Sequence, residues 1–200
     1  VKQTYKVSWS FTVLESGLGG NGMITYADLK NGGFEQVTAD GSLYGVTLSV
    51  ANAEAVQRYG TEVIGSGDRL VRFKYDSTAG TVSTPPQAYI TDADFVGVMR
   101  YEWDVAFEKL DALAQAVGKY KVSIISSDAP DGDPTVCATY TFELTNNVAY
   151  RHGIEVDMAD LETTSGTDIA YVWLMFEGVD NAASNALWVY VDNVTCTQRV

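Results

Sequence analysis

Strict alternation constrains this chain more than any other feature. In YKVSWSFTV (5–13), Tyr5, Val7, Trp9, Phe11 and Val13 fall on one side, and Lys6, Ser8, Ser10 and Thr12 on the other. Successive side chains of a strand point to opposite faces, so a period of two over this length is a strand buried on one side. Further strands are expected at 44–50, 69–76, 98–110, 119–126, 135–144, 152–158, 169–177 and 186–198. Turns such as APDGDP and DNAASN separate them at the spacing of a sandwich or barrel. No linker, low-complexity tract or internal repeat divides residues 1–200, which read as one β-rich domain. Only ANAEAVQRYG (51–60) and KLDALAQAVG (109–118) carry helical signals, each enough for about two turns, with Gly60 and Gly118 at the stop position.

Hydrophobic residues make up 46% of the chain, enough for a substantial core. The formal charge of −13 disfavours nucleic acid and anionic lipid, which both need a basic surface. It offers many oxygen ligands to a hard cation instead. No apolar run reaches bilayer length. Cys137 and Cys196 both fall on expected strands and suit either one bridge, as in a secreted protein, or two separate buried thiols. Asn193-Val194-Thr195 is a formal glycosylation sequon. The expected location is extracellular or at the cell surface.

The acids of YEWDVAFEKL (101–110) raise the question of catalysis. Carboxylates two apart on a strand are how one large group of glycoside hydrolases presents its catalytic pair, as Glu-x-Asp-x-Glu or a bulged Glu-x-Asp-x-x-Glu. Retaining chemistry needs the two carboxyls about 5 to 5.5 Å apart. After Glu102 and Asp104 the last position is Ala106 or Phe107, and Glu108 lies one pleat too far. Tyr101, Trp103, Val105 and Phe107 form an apolar face opposite, so the acids read as facing solvent or a binding cleft. His152 is the only histidine, which excludes a multi-histidine zinc site. As a lone histidine beside Tyr150 and Arg151 it reads as a surface or capping residue rather than a general base. The chain is not expected to be an enzyme.

The aromatic residues carry more. On the last expected strand Leu187, Val189 and Val191 share one face, leaving Trp188 and Tyr190 on the other. On the strand before it, Val172, Leu174 and Phe176 oppose Tyr171, Trp173 and Met175. With the aliphatic faces inside, the four rings make a stripe on an outer sheet, suited to stacking on the apolar face of a pyranose. The other reading is that both faces are core, covered by the 51–60 segment or by a partner. Arg72, Glu102 and Asp104 are candidate hydroxyl partners, equally readable as paired surface charges.

IAYVWLMFEGVDNAASNALWVYVDNV, near the end of the chain, resembles the closing strands of a large group of β-jelly-roll carbohydrate-binding modules. NGGFE (31–35) resembles the Gly-Phe-Glu near their first strand. The resemblance covers about a fifth of the chain; here a complete strand precedes the Gly-Phe-Glu element, and 36–98 matches no motif of the group. It implies a jelly-roll β-sandwich, a structural calcium on Glu35 and Asp192 with backbone carbonyls, and non-catalytic polysaccharide binding. Asp192 also reads as a turn-capping carboxylate. The alternative is a structural subunit of an extracellular filament or surface layer, self-assembling through residues 1–13 added as a strand to a neighbour's sheet.

Overall fold

A computed structural model describes residues 23–26, 31–57, 64, 67–88, 98–108, 117–145, 149–157, 159–161, 169–181 and 187–199. The strands in chain order are β1 (Met23–Tyr26), β2 (Thr47–Leu48), β3 (Ala53–Gln57), β4 (Arg69–Phe73), β5 (Tyr75–Asp76), β6 (Thr78–Ala79) and β7 (Thr81–Ser83). They continue with β8 (Gln87–Ala88), β9 (Val98–Phe107), β10 (Val117–Ser127), β11 (Thr135–Thr145), β12 (Tyr150–Asp157), β13 (Tyr171–Gly178) and β14 (Val189–Arg199). The expected N-terminal strand, and with it assembly through residues 1–13, lies outside the described residues.

Two antiparallel sheets form the sandwich. The first runs β12-β9-β14-β4-β3, with β1 also on β14; the second runs β11-β10-β13-β7-β2, with β8 also on β13. From β11 onward each strand changes sheet, so β12, β13 and β14 return beside β9, β10 and β9. This winding between two layers is a sandwich of jelly-roll type.

Alternation sets what is inside. On β9, Met99, Tyr101, Trp103, Val105 and Phe107 are buried, while Glu102 and Asp104 face away. Val172, Leu174 and Phe176 of β13 meet them from the second sheet. Trp103 packs edge-on against Phe142 and Phe176, each at a centroid distance of 5.4 Å. Burying one such side chain is worth about 1.5–3 kcal/mol.

A hydrogen-bonded chain crosses between the layers. Trp103 Nε1–H donates to the Tyr120 hydroxyl at 3.0 Å, and that hydroxyl lies 2.6 Å from His152 Nδ1. Indole N–H only donates, so the Tyr120 oxygen accepts from Trp103 and shares a second hydrogen bond with Nδ1 of His152, whose burial favours the neutral ring. Burial holds its pKa below the ordinary histidine value. His152 is thus a partly buried member of the core's aromatic cluster, stacked on Phe142 at 4.9 Å, and not a surface cap.

Three expectations are corrected. Residues 53–57 are a strand, not a helix: Asn52 takes a left-handed φ of 64° and Ala53–Gln57 pairs residue by residue with β4. Pairing thus overrides helix propensity. Of the second expected helix, 109–116 lie outside the described residues, while Val117 and Gly118 open β10. A Cβ on Gly118 would sit 2.5 Å from the Phe107 ring, so packing and not helix termination explains this glycine. The cysteines are also unbridged: Cys137 is on β11 of the second sheet and Cys196 on β14 of the first. Cys137 Sγ lies 3.1 Å from Ser126 Oγ, and Cys196 is buried in the core. Burial pushes the Cys196 thiol up to about 12.

Candidate functional site

The four aromatic residues do not form one stripe. β13 belongs to the second sheet and β14 to the first, so Tyr171 and Trp173 lie on one outer face of the sandwich and Trp188 and Tyr190 on the opposite one. Arg72, Glu102 and Asp104 accompany the second pair.

On the outer face of the second sheet, cross-strand register builds rows running across the strands. The first row is apolar: Val136, Ile125 and Trp173. A β-bulge leaves Cys137 without a partner position on β10 and brings Val136, 52% exposed, level with Ile125. The next row is Thr139, Ser123, Met175, Ser83 and Thr47, one residue from each of five strands. Neighbouring strands lie about 4.8 Å apart, so this row spans roughly 19 Å. Ser123 Oγ and Thr139 Oγ1 are 2.9 Å apart.

The third row is Thr141, Lys121, Glu177 and Thr81. Beyond it Lys119 pairs with Glu143 at 2.9 Å, and within it Lys121 faces Glu177 at 3.9 Å. Charges here balance and sit at one margin. Tyr171, opposite Ala88, closes the other end of β13's outer side. Among the described residues no ring or cation stacks on Trp173. Thr139 and Thr47 are exposed, Trp173, Met175 and Ser83 half-buried, and Ile125 and Ser123 buried, so the accessible hydroxyls lie on either side of Ser123 with the indole beside them.

The outer face of the first sheet is closed by its own contacts. Glu54, Arg72, Tyr190 and Ala106 form a row across β3, β4, β14 and β9. Arg72 donates to Glu54 from Nε at 2.8 Å and to the Tyr190 hydroxyl from a guanidinium nitrogen at 3.3 Å. Its guanidinium carbon lies 4.3 Å from the Trp188 centroid, and Lys74 Nζ lies 4.8 Å from it.

The acids of 101–110 are similarly engaged. Asp104 accepts from Arg151 and from Asn193 Nδ2, both at 2.8 Å. Glu102 accepts from Arg100 at 3.0 Å, and Glu108 from the Trp188 backbone N–H at 3.1 Å. The sequon asparagine Asn193 is thereby tied down at a left-handed φ of 49°. These groups brace a surface, and as placed they present no pair of carboxylates to a substrate.

Glu35 and Asp192 lie on adjoining elements. Glu35 Oε1 accepts the backbone N–H groups of Asp68 and Arg69 at 2.8 and 3.0 Å, and Asp192 is fully buried on β14 with Oδ1 accepting the Asn193 N–H. The Val194 N–H bonds the Gly32 carbonyl at 2.9 Å, joining the 31–35 turn to β14 just past Asp192. Among the described residues no group of three or more His, Cys, Asp or Glu gathers as a metal site. Two carboxylates supplemented by backbone carbonyls still match the oxygen preference of calcium.

Reasoning from sequence missed the hydroxyl row, Lys121 and Glu177. Each sits at an outward position of an expected strand, but only register shows that they adjoin Trp173.

No family model and no curated protein matches the sequence. Among solved structures, the chain is similar to a family 61 carbohydrate-binding module in complex with β-1,4-galactotriose. The identity is 18% and the TM-score 0.44, covering 84% of this chain and 94% of that one. It is also similar to the tandem family 22 modules of Paenibacillus barcinonensis Xyn10C, at 16% identity and TM-score 0.49, covering 80% of this chain and 47% of that one. A third is the C-terminal family 22 module of Clostridium thermocellum Xyn10B, at 13% identity and TM-score 0.46, covering 84% of this chain and 93% of that one. No helix among the described residues is long and apolar enough to cross a membrane.

Proposed function

We propose that the chain is a non-catalytic polysaccharide-binding module of a secreted or cell-surface protein, and that the outer face of the second sheet is its binding surface. The observation that carries this is the row Thr139, Ser123, Met175, Ser83 and Thr47 running beside the indole of Trp173. A pyranose has one apolar face and a rim of hydroxyls. Its face stacks on Trp173, with Tyr171 beside it, while its rim bonds the hydroxyls of Thr47, Ser83 and Thr139 and the Lys121–Glu177 pair; buried Ser123 holds Thr139 from beneath. Each of these charges faces an opposite one, which favours a neutral glycan over a uronate or sulfated one. A row of roughly 19 Å suits an extended chain of several sugars.

Calorimetric titration with xylan and β-1,4-galactan oligosaccharides, the latter the ligand class of the family 61 module above, tests this. Binding should appear with neutral chains and disappear in Trp173→Ala; survival of full affinity in that variant would overturn the assignment of the face.

We also propose a structural calcium held by Glu35 and Asp192 with neighbouring carbonyls. Chelation should then lower the thermal unfolding midpoint of wild type and have no effect on Asp192→Asn. An unchanged wild-type midpoint would remove calcium from the account.

A further inference from the structure

The ladder beside β13 is irregular at one place, and that place is level with Trp173. Ser83 pairs with Met175 and Gln87 with Val172, so four steps of one chain face three of the other. One extra residue is accommodated there, in the run Thr84-Pro85-Pro86 between β7 and β8. Neither proline has an N–H to offer the ladder. The gap is bridged by Thr84, which is almost wholly buried. Its backbone N–H donates to the Leu174 carbonyl at 2.9 Å, and its side-chain Oγ1 accepts the Leu174 N–H at 3.1 Å. Leu174 lies between Trp173 and Met175, so both hydrogen bonds of the residue joining the apolar and hydroxyl rows go to a single threonine. A hydroxyl thus does what a backbone carbonyl does elsewhere in the sheet. Bulges re-aim the side chains beside them, and this one is level with Trp173 in the register.

We propose that Thr84 is a positioning residue for the binding face: its side-chain oxygen fixes the backbone of β13 at Leu174 and thereby sets the pose of Trp173. The idea rests on the proposed function for its consequence, but its geometry is testable without any glycan. Thr84→Val keeps the shape and removes the acceptor, leaving the Leu174 N–H unsatisfied in a buried place. Thr84→Ser keeps the oxygen and removes only the methyl group.

The experiment is amide hydrogen exchange at Leu174 and the indole N–H resonance of Trp173, assigned with Trp173→Phe, in wild type and both variants. Slow exchange at Leu174 should be lost in Thr84→Val and retained in Thr84→Ser, with the indole resonance shifted only in the valine variant. Affinity for xylan or galactan oligosaccharides should fall about tenfold in Thr84→Val and recover in Thr84→Ser. Unchanged Leu174 exchange in Thr84→Val would overturn the proposal, as would a serine variant as impaired as the valine one. If wild type binds no glycan, the proposed function fails while exchange and resonance still decide the positioning role.

Discussion

The two outer faces of this sandwich start from the same sequence signal and end in opposite states. Each presents two aromatic residues spaced two apart: Tyr171 and Trp173 on β13, and Tyr190 on β14 with Trp188 just before its first residue. On the first sheet, Arg72 and Lys74 sit over the Trp188 ring and Arg72 bonds the Tyr190 hydroxyl, so the π-faces are used internally. On the second sheet, the strands beside Trp173 offer serine, threonine and a margin of balanced charge. An exposed aromatic pair is therefore not by itself a binding site. What its neighbours bring across the strands decides whether the rings brace the fold or await a ligand.

The contrast is broken most directly by exchanging the tryptophans. Trp173→Ala should weaken neutral-glycan binding by about 2 kcal/mol or more, the cost of a central anchor. Trp188→Ala should leave affinity within about twofold while lowering the unfolding midpoint, since it removes packing under two cations. Equal losses of affinity in calorimetry would show that both faces bind. Next in size, Arg72→Ala should cost about 1 kcal/mol in denaturant unfolding through its stacking and its bond to Tyr190, again with affinity unchanged.

A smaller effect tests the core that both faces share. His152 has its pKa depressed by burial, so the native state binds fewer protons than the unfolded chain. Its contribution is fully present above the ordinary histidine value of 6.5 and is lost as pH falls through the lower native value. Thermal unfolding should therefore show wild type losing stability between pH 7.5 and pH 5, by more than His152→Asn, whose side chain cannot be protonated. An identical pH dependence in the two proteins would sink the neutral-His152 assignment. The smallest effect expected is Lys119→Ala: its pair with Glu143 is exposed, so stability should change by less than about 0.5 kcal/mol. A larger change would mean that the margin of the second face is structural.

Much of the fold was legible in the chain itself, and the limits fall at identifiable residues. Alternation in 98–107 and 171–178 places Trp103, Tyr101, Val172, Leu174 and Phe176 inside, because a strand with one wet face has no other way to hide them. The segment 53–57 misleads because its alanine, glutamate and glutamine suit a helix, whereas β4 offers a strand edge that pairs all five residues. The cysteines mislead because two strands with a thiol each say nothing about which sheet either joins. Ser123 and Thr139 are distant in sequence, and their contact needs the β10–β11 register.

By itself, the sequence determined the class of fold, the inward residue of nearly every strand and the outward display of aromatics, since these depend on a local period of two. Only the tertiary structure decided which strands share a sheet, that β13 and β14 part company, and that Thr84 bridges the bulge at Leu174. Those outcomes depend on register and on contacts between residues far apart in the chain, which no local pattern of side chains encodes.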